Sequence, residues 1–294
     1  MSRRGWLLFG AMCLIWGLPY LLIRVAVREL SPASLVFART ALAAVVLVPL
    51  ALRRSMWAEF RRSMGWIAIF AIIEMGIPWL LMSRAEQHLT SSVTGLMVAA
   101  VPLVAVVAYR WSGAHEPLTA RRVVGLVLGT IGVAILVGVD LTGTTVLPVL
   151  EMLVVVVGYA VGPLLLATKL VERPGLAVNA GAIGLVALLY APVGIAQFPH
   201  HLHAETIWAV IVLGLVCTAL AFMTFFELIK EIGPARSTVV TYVNPAVAVL
   251  LGVALLGEPI TAGIVVGFPL ILAGSILAST RSATELRAEL PAER

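Results

Sequence analysis

Apolar stretches about twenty residues long recur along the whole chain, separated by short polar joints. A hydrocarbon core about 30 Å thick needs about that length of α-helix to cross it. Ten such runs are read, at 5–26, 33–52, 64–83, 90–109, 121–139, 146–166, 176–198, 207–226, 235–256 and 261–280. The first is too long for a removable signal peptide and has no A-x-A-like cleavage site, so it is expected to be helix 1. The longest joints, 53–63 and 110–120, are 11 residues each, which leaves no room for a separate soluble domain.

Composition agrees with this pattern. Hydrophobic residues make up 61% of the 294 and charged residues 12%, with a mean hydropathy of +1.06. A soluble chain is about half apolar and a quarter charged, so lipid is the expected solvent. The net charge of +5 and pI near 9.7 would suit nucleic acid until the charges are sorted by side. With the N-terminus inside, the inner ends and joints hold 16 of the 20 Lys and Arg, from Arg3 and Arg4 to Arg287 and Arg294. The outer side holds Arg24, Arg28 and Arg84, while Arg39 lies within the second run. This bias predicts cytoplasmic termini, and the basic pI reports topology, with no nucleic acid expected as a partner. Cys13 and Cys217 both fall inside runs and read as small packing residues.

The chain also repeats itself. Pro102 matches Pro245 at an offset of 143, and Glu116-Pro117-Leu118-Thr119 matches Glu258-Pro259-Ile260-Thr261 at 142. Gly125 and Gly132 match Gly267 and Gly274 at the same offset of 142. The copies are therefore 5–139 and 146–280, five helices each, with a tail at 281–294. An odd number of spans makes the second copy enter the membrane upside down. Inverted repeats of this kind are the architecture of many secondary transporters, with substrate bound near the midplane between the halves.

Trp16-Gly17, Ser31-Pro32 with Phe37-Ala38-Arg39, and the Pro…Gly-Glu-Pro-Ile-Thr…Gly ending resemble EamA-type members of the drug/metabolite transporter superfamily. The resemblance covers about residues 5–280. It implies an all-α, ten-helix carrier of the inner membrane with cytoplasmic termini, commonly an exporter of metabolites or amino acids. The first copy departs from the pattern at Gly113-Ala114-His115-Glu116, where the second reads Leu256-Gly257-Glu258.

Charges inside spans are costly and so informative. Arg24, Arg39, Glu74, Glu151 and Arg236 fall inside the runs. Arg24 and Arg236 lie near helix ends and can snorkel. Glu74 is deepest, ~14 Å from the outer end of its run, and Arg39 is ~9 Å deep from the same side. Two readings stand: Glu74 faces a cavity and binds a cationic group or a coupling proton, or Glu74 and Arg39 form a structural pair. Glu151, ~8 Å deep, reads as a lining residue. Trp16, Tyr20, Glu74, Trp79, Tyr159, Tyr242 and Asn244 are the candidates for the substrate cavity. Pro19, Pro78, Pro102 and Pro245 are the hinge candidates, because a proline within a span frees a backbone carbonyl. Gly125-x-x-x-Gly129 and Gly263-x-x-x-Gly267 read as close-packing seams, and His200-His201-Leu202-His203 as an external loop.

There is no G-x-x-x-x-G-K-[ST], H-E-x-x-H, G-x-S-x-G or C-x-x-C. No cofactor or metal is expected, and the partners are a small-molecule substrate and lipid, with a homodimer allowed but not required. The expected function is a secondary carrier that moves a small organic solute by alternating access. A membrane enzyme on lipid-linked substrates and a passive channel are the alternatives.

Overall fold

The computed structural model describes residues 1–53, 57–111, 119–140 and 146–279. The Gly113–Glu116 interruption, the 281–294 tail and the first copy's Glu116-Pro117-Leu118 lie outside these residues. Among the described residues every regular element is helical. Lipid offers no partner for a backbone N–H or C=O, so a continuous apolar run satisfies its own backbone by forming a helix.

In chain order the first half contains α1 (Arg3–Ala26), α2 (Pro32–Arg53), α3 (Trp57–Phe70), α4 (Ile77–Ala85), α5 (Ser91–Val98), α6 (Val101–Trp111) and α7 (Ala120–Asp140). The second contains α8 (Val146–Lys169), α9 (Gly175–Ala196), α10 (Ala204–Ile211), α11 (Ala221–Ile232), α12 (Pro234–Ser237), α13 (Val240–Leu256) and α14 (Ala262–Ser279). Eight of the ten expected runs are helices long and apolar enough to cross a membrane. The last two, Val240–Leu256 and Ala262–Ala278, are shorter apolar helices.

Two runs change winding midway. A π-helical stretch, Ala71–Gly76, joins α3 to α4, and another, Val212–Leu220, joins α10 to α11. At the offset of 143 that aligns Pro102 with Pro245, these stretches overlap and Glu74 meets Cys217. Wider winding displaces carbonyls from their regular partners, and side chains supply replacements. The Tyr190 hydroxyl donates to Gly76 O at 3.0 Å. The Thr218 hydroxyl donates to Leu213 O, five residues back, at 2.7 Å.

The prolines act unequally. Pro78 sits in the first turn of α4, just past the first π-helical stretch. Pro102 follows the break at Ala99-Ala100 between α5 and α6. Its counterpart Pro245 lies inside continuous α13, where the chain breaks instead at Thr238-Val239. Pro19 is buried within continuous α1.

The most extensive interfaces each join one half to the other: α7 with α14, α2 with α9, α1 with α13, and α4 with α8. The first is a glycine seam. A Cβ on Gly274 would lie 2.4 Å from Gly129 N, and one on Gly132 would lie 2.7 Å from Ile271 N. The backbones thus touch at a separation that only glycine permits.

Candidate functional site

Half-way along the bundle, α2, α4, α8 and the two π-helical stretches bring polar side chains together. Arg39 of α2 is 7% exposed. Its Nε donates to Thr218 Oγ1 at 3.0 Å, and its guanidinium carbon stands 3.8 Å from the centroid of the Trp79 ring. Tyr20, Tyr159 and Cys217 lie within electrostatic range of the same guanidinium. A buried cation over an indole face is a favourable contact, worth up to about 2 kcal/mol when desolvated. Gly214 lets α2 approach, since a Cβ there would lie 3.0 Å from Arg39 O.

Of the two readings left open for Glu74, the structural pair with Arg39 is not formed among the described residues. Depth along neighbouring helices is similar for the two residues, but direction is not. Arg39 turns to Thr218 and Trp79, while Glu74 turns to Gly162 of α8. A Cβ on Gly162 would lie 1.9 Å from Glu74 Oε2 and 2.8 Å from its Cδ. Glu74 Oε2 is buried and finds no hydrogen-bond partner among the described residues. An acceptor-only oxygen left without a donor in apolar surroundings is a costly arrangement. Tyr159 lies near both Glu74 and Arg39 and packs against both of the larger hydrophobic clusters.

The remaining candidates divide. Tyr20, Trp79 and Tyr159 gather around Arg39, with Glu74 beside Tyr159. Trp16 belongs to a different cluster, where its ring lies 4.7 Å from that of Phe225 of α11. Tyr242 reaches Ser275 O of α14 at 3.5 Å. Asn244 is buried with Oδ1 unpartnered among the described residues, and its carbonyl faces Gly17 of α1. Thr218 and Tyr190 were not expected at the site. Their signal was weak, because a single hydroxyl in an apolar run carries no periodicity.

One end of the bundle is closed by bonds between the halves. Glu258, in the turn before α14, caps α5. Its Oε1 accepts from Ser91 N at 2.8 Å and Ser91 Oγ at 2.9 Å, and its Oε2 from Ser92 N at 3.0 Å and Ser92 Oγ at 2.5 Å. Gly257 adopts φ +65°, which turns the chain so that Glu258 points back. Gly252 leaves the room, since a Cβ there would lie 2.3 Å from Glu258 Oε2. At the same end Glu151 pairs with Arg84 at 2.9 Å, and both line a recess of about 90 Å³ with Gln87, His88, Leu147 and Pro148, in keeping with the lining role expected for Glu151. Glu29 binds His203, whose backbone N donates to it at 3.1 Å. The hydrogen bonds from Thr206 and His203 hold the Glu29 carboxyl below the usual range. A recess of about 420 Å³ lined by Arg28, Glu29, His203 and Thr206 opens there. At the opposite end Arg4 of α1 pairs with Glu227 of α11 at 3.0 Å.

Three comparisons bear on this arrangement. The family model described as "EamA-like transporter family" matches residues 3–138 and again 147–280. The "Uncharacterized inner membrane transporter YedA" of Escherichia coli K12 is 27% identical over 86% of this chain and 84% of its own. The "Probable terminal-alkyne amino-acid exporter" of Streptantibioticus cattleyicolor is 28% identical over 96% of this chain and 95% of its own. A solved structure described as "Crystal structure of protein" superposes with a TM-score of 0.68 at 20% identity, over 99% of this chain and 100% of that one. That likeness speaks for the fold alone.

Proposed function

From the premise that this chain belongs to the EamA-like transporter family, and is a multi-pass transporter of the inner membrane, we propose that it exports an amino acid or a similar small zwitterion by alternating access. The observation that carries this reading is the pairing of opposite unmet needs around Tyr159. Glu74 offers a carboxylate with an oxygen that no donor satisfies among the described residues, and Arg39 offers a guanidinium whose Nε donates to Thr218. An ammonium group would meet the first, and a carboxylate could share the second with Thr218. Trp79 and Tyr20 close the apolar sides. The name of the Streptantibioticus relative supports the same substrate class and direction.

The interfaces between halves support the mechanism. Inverted halves can exchange shapes, and the cluster lies where they meet. With the N-terminus cytoplasmic, as the basic residues suggest, the Glu258 end faces outward and is closed here. The test is counterflow in proteoliposomes preloaded with single amino acids, reading uptake of the labelled partner. Saturable exchange of one amino-acid class is expected. Flux that does not saturate, or no exchange by folded protein across all twenty amino acids, would overturn the proposal.

A further inference from the structure

Glu86, immediately after α4, is fully buried, and neither of its carboxylate oxygens has a hydrogen-bond partner among the described residues. It lies within electrostatic range of Glu258 in the turn before α14. The charged groups that face it are Arg24 of α1, Glu258 of the turn before α14, and Arg39 of α2. Arg24 donates to the Glu86 backbone carbonyl, not to its carboxylate. Two carboxylates thus share one closed end on very unequal terms. Glu258 takes four donors from Ser91 and Ser92, and Glu86 takes none. Where two such groups sit close together, the proton goes to the one without donors. Burial and the nearby Glu258 both push the Glu86 carboxyl above the usual carboxylate range, against the pull of Arg24 and Arg39.

We infer that Glu86 is a proton-binding site of this gate, carrying a proton while the Glu258 turn is seated on α5 and releasing it when the turn lifts. Opening admits water to Glu86 and separates it from Glu258, and both changes favour ionisation. The proton thus leaves to, and returns from, the outer side, so that external pH sets how readily this gate opens, through a residue distinct from Glu74. This inference rests on the alternating-access reading above, which the counterflow assay judges separately.

The first test needs no substrate. A proton held by the folded chain and not by the unfolded one makes stability fall as pH rises from the ordinary carboxylate range towards the folded value. Purified full-length protein should lose Tm between pH 5.5 and 8.5, and Glu86→Gln should lose less. Parallel Tm curves would overturn the site. The second test places a cysteine under the gate, V93C in a C13A/C217A background, and measures labelling by an impermeant maleimide. The rate relative to the same protein carrying Glu86→Gln should rise with pH by up to about tenfold per pH unit, as one linked proton allows, whereas a constant ratio would overturn the link to the gate. Glu258→Gln serves if Glu86→Gln does not fold. It should raise V93C labelling at every pH, and labelling left unchanged would contradict the gate. Normal wild-type counterflow beside either failure would sink this inference and leave the carrier reading standing.

Discussion

At Val212–Leu220 the widened winding is compensated at Leu213 O: Thr218 donates to it and accepts from Arg39, so the turn ties the two halves together. At the corresponding stretch of the other half, Ala71–Gly76, the backbone is compensated by Tyr190, yet Glu74 points at Gly162 with Oε2 unpartnered. The same departure from α geometry is a completed joint in one half and an open polar site in the other. Native chains satisfy nearly all buried polar groups, so an exception invites a functional reading. The shared winding of the two stretches does not extend to their chemistry, since Cys217 stands where the first half has Glu74.

Three substitutions sharpen the contrast, in descending order of expected effect. Gly162→Ala drives a methyl into the Glu74 carboxylate. Overpacking of this kind costs about 1–3 kcal/mol, and exchange should fall at least tenfold in the counterflow assay. Thr218→Val removes the acceptor of Arg39 Nε and the donor to Leu213 O. It should cost roughly 1–3 kcal/mol, read as a lowered Tm, and Thr218→Ser should recover most of it. Trp79→Phe keeps an aromatic face for Arg39 but a weaker one, so a loss of about 1 kcal/mol or less is expected, seen as a small fall in Tm.

Much of the fold could be read from hydropathy, because lipid enforces one simple rule on length and polarity. The run 64–83 became Phe60–Ala85 and 176–198 became Gly175–Ala196, shifts of only a few residues at each end. The π-helical stretches could not be read, since their cause is a hydrogen-bond register that leaves no mark in a window average. The split of the fourth run fell two residues before Pro102, whereas Pro245 left α13 intact. A proline therefore marks a weakness that neighbouring helices decide whether to use. At the site, buried charge singled out Arg39 and Glu74, but their partners depended on direction around the helix, which depth alone does not give. Glu86 was passed over because the run was closed at Ser83, two residues short of the helix end at Ala85 and three short of Glu86 itself.

The most direct measurement compares Glu74→Gln with Thr218→Val, reading counterflow and Tm on both. If Glu74 belongs to the transport site, Glu74→Gln abolishes exchange while Tm holds or rises, because a poorly partnered buried carboxylate has been removed. Thr218→Val should lower Tm while keeping saturable exchange. The reverse pattern, with Glu74→Gln unfolding at lower temperature and still exchanging substrate at the wild-type rate, would make Glu74 a structural group and contradict the account.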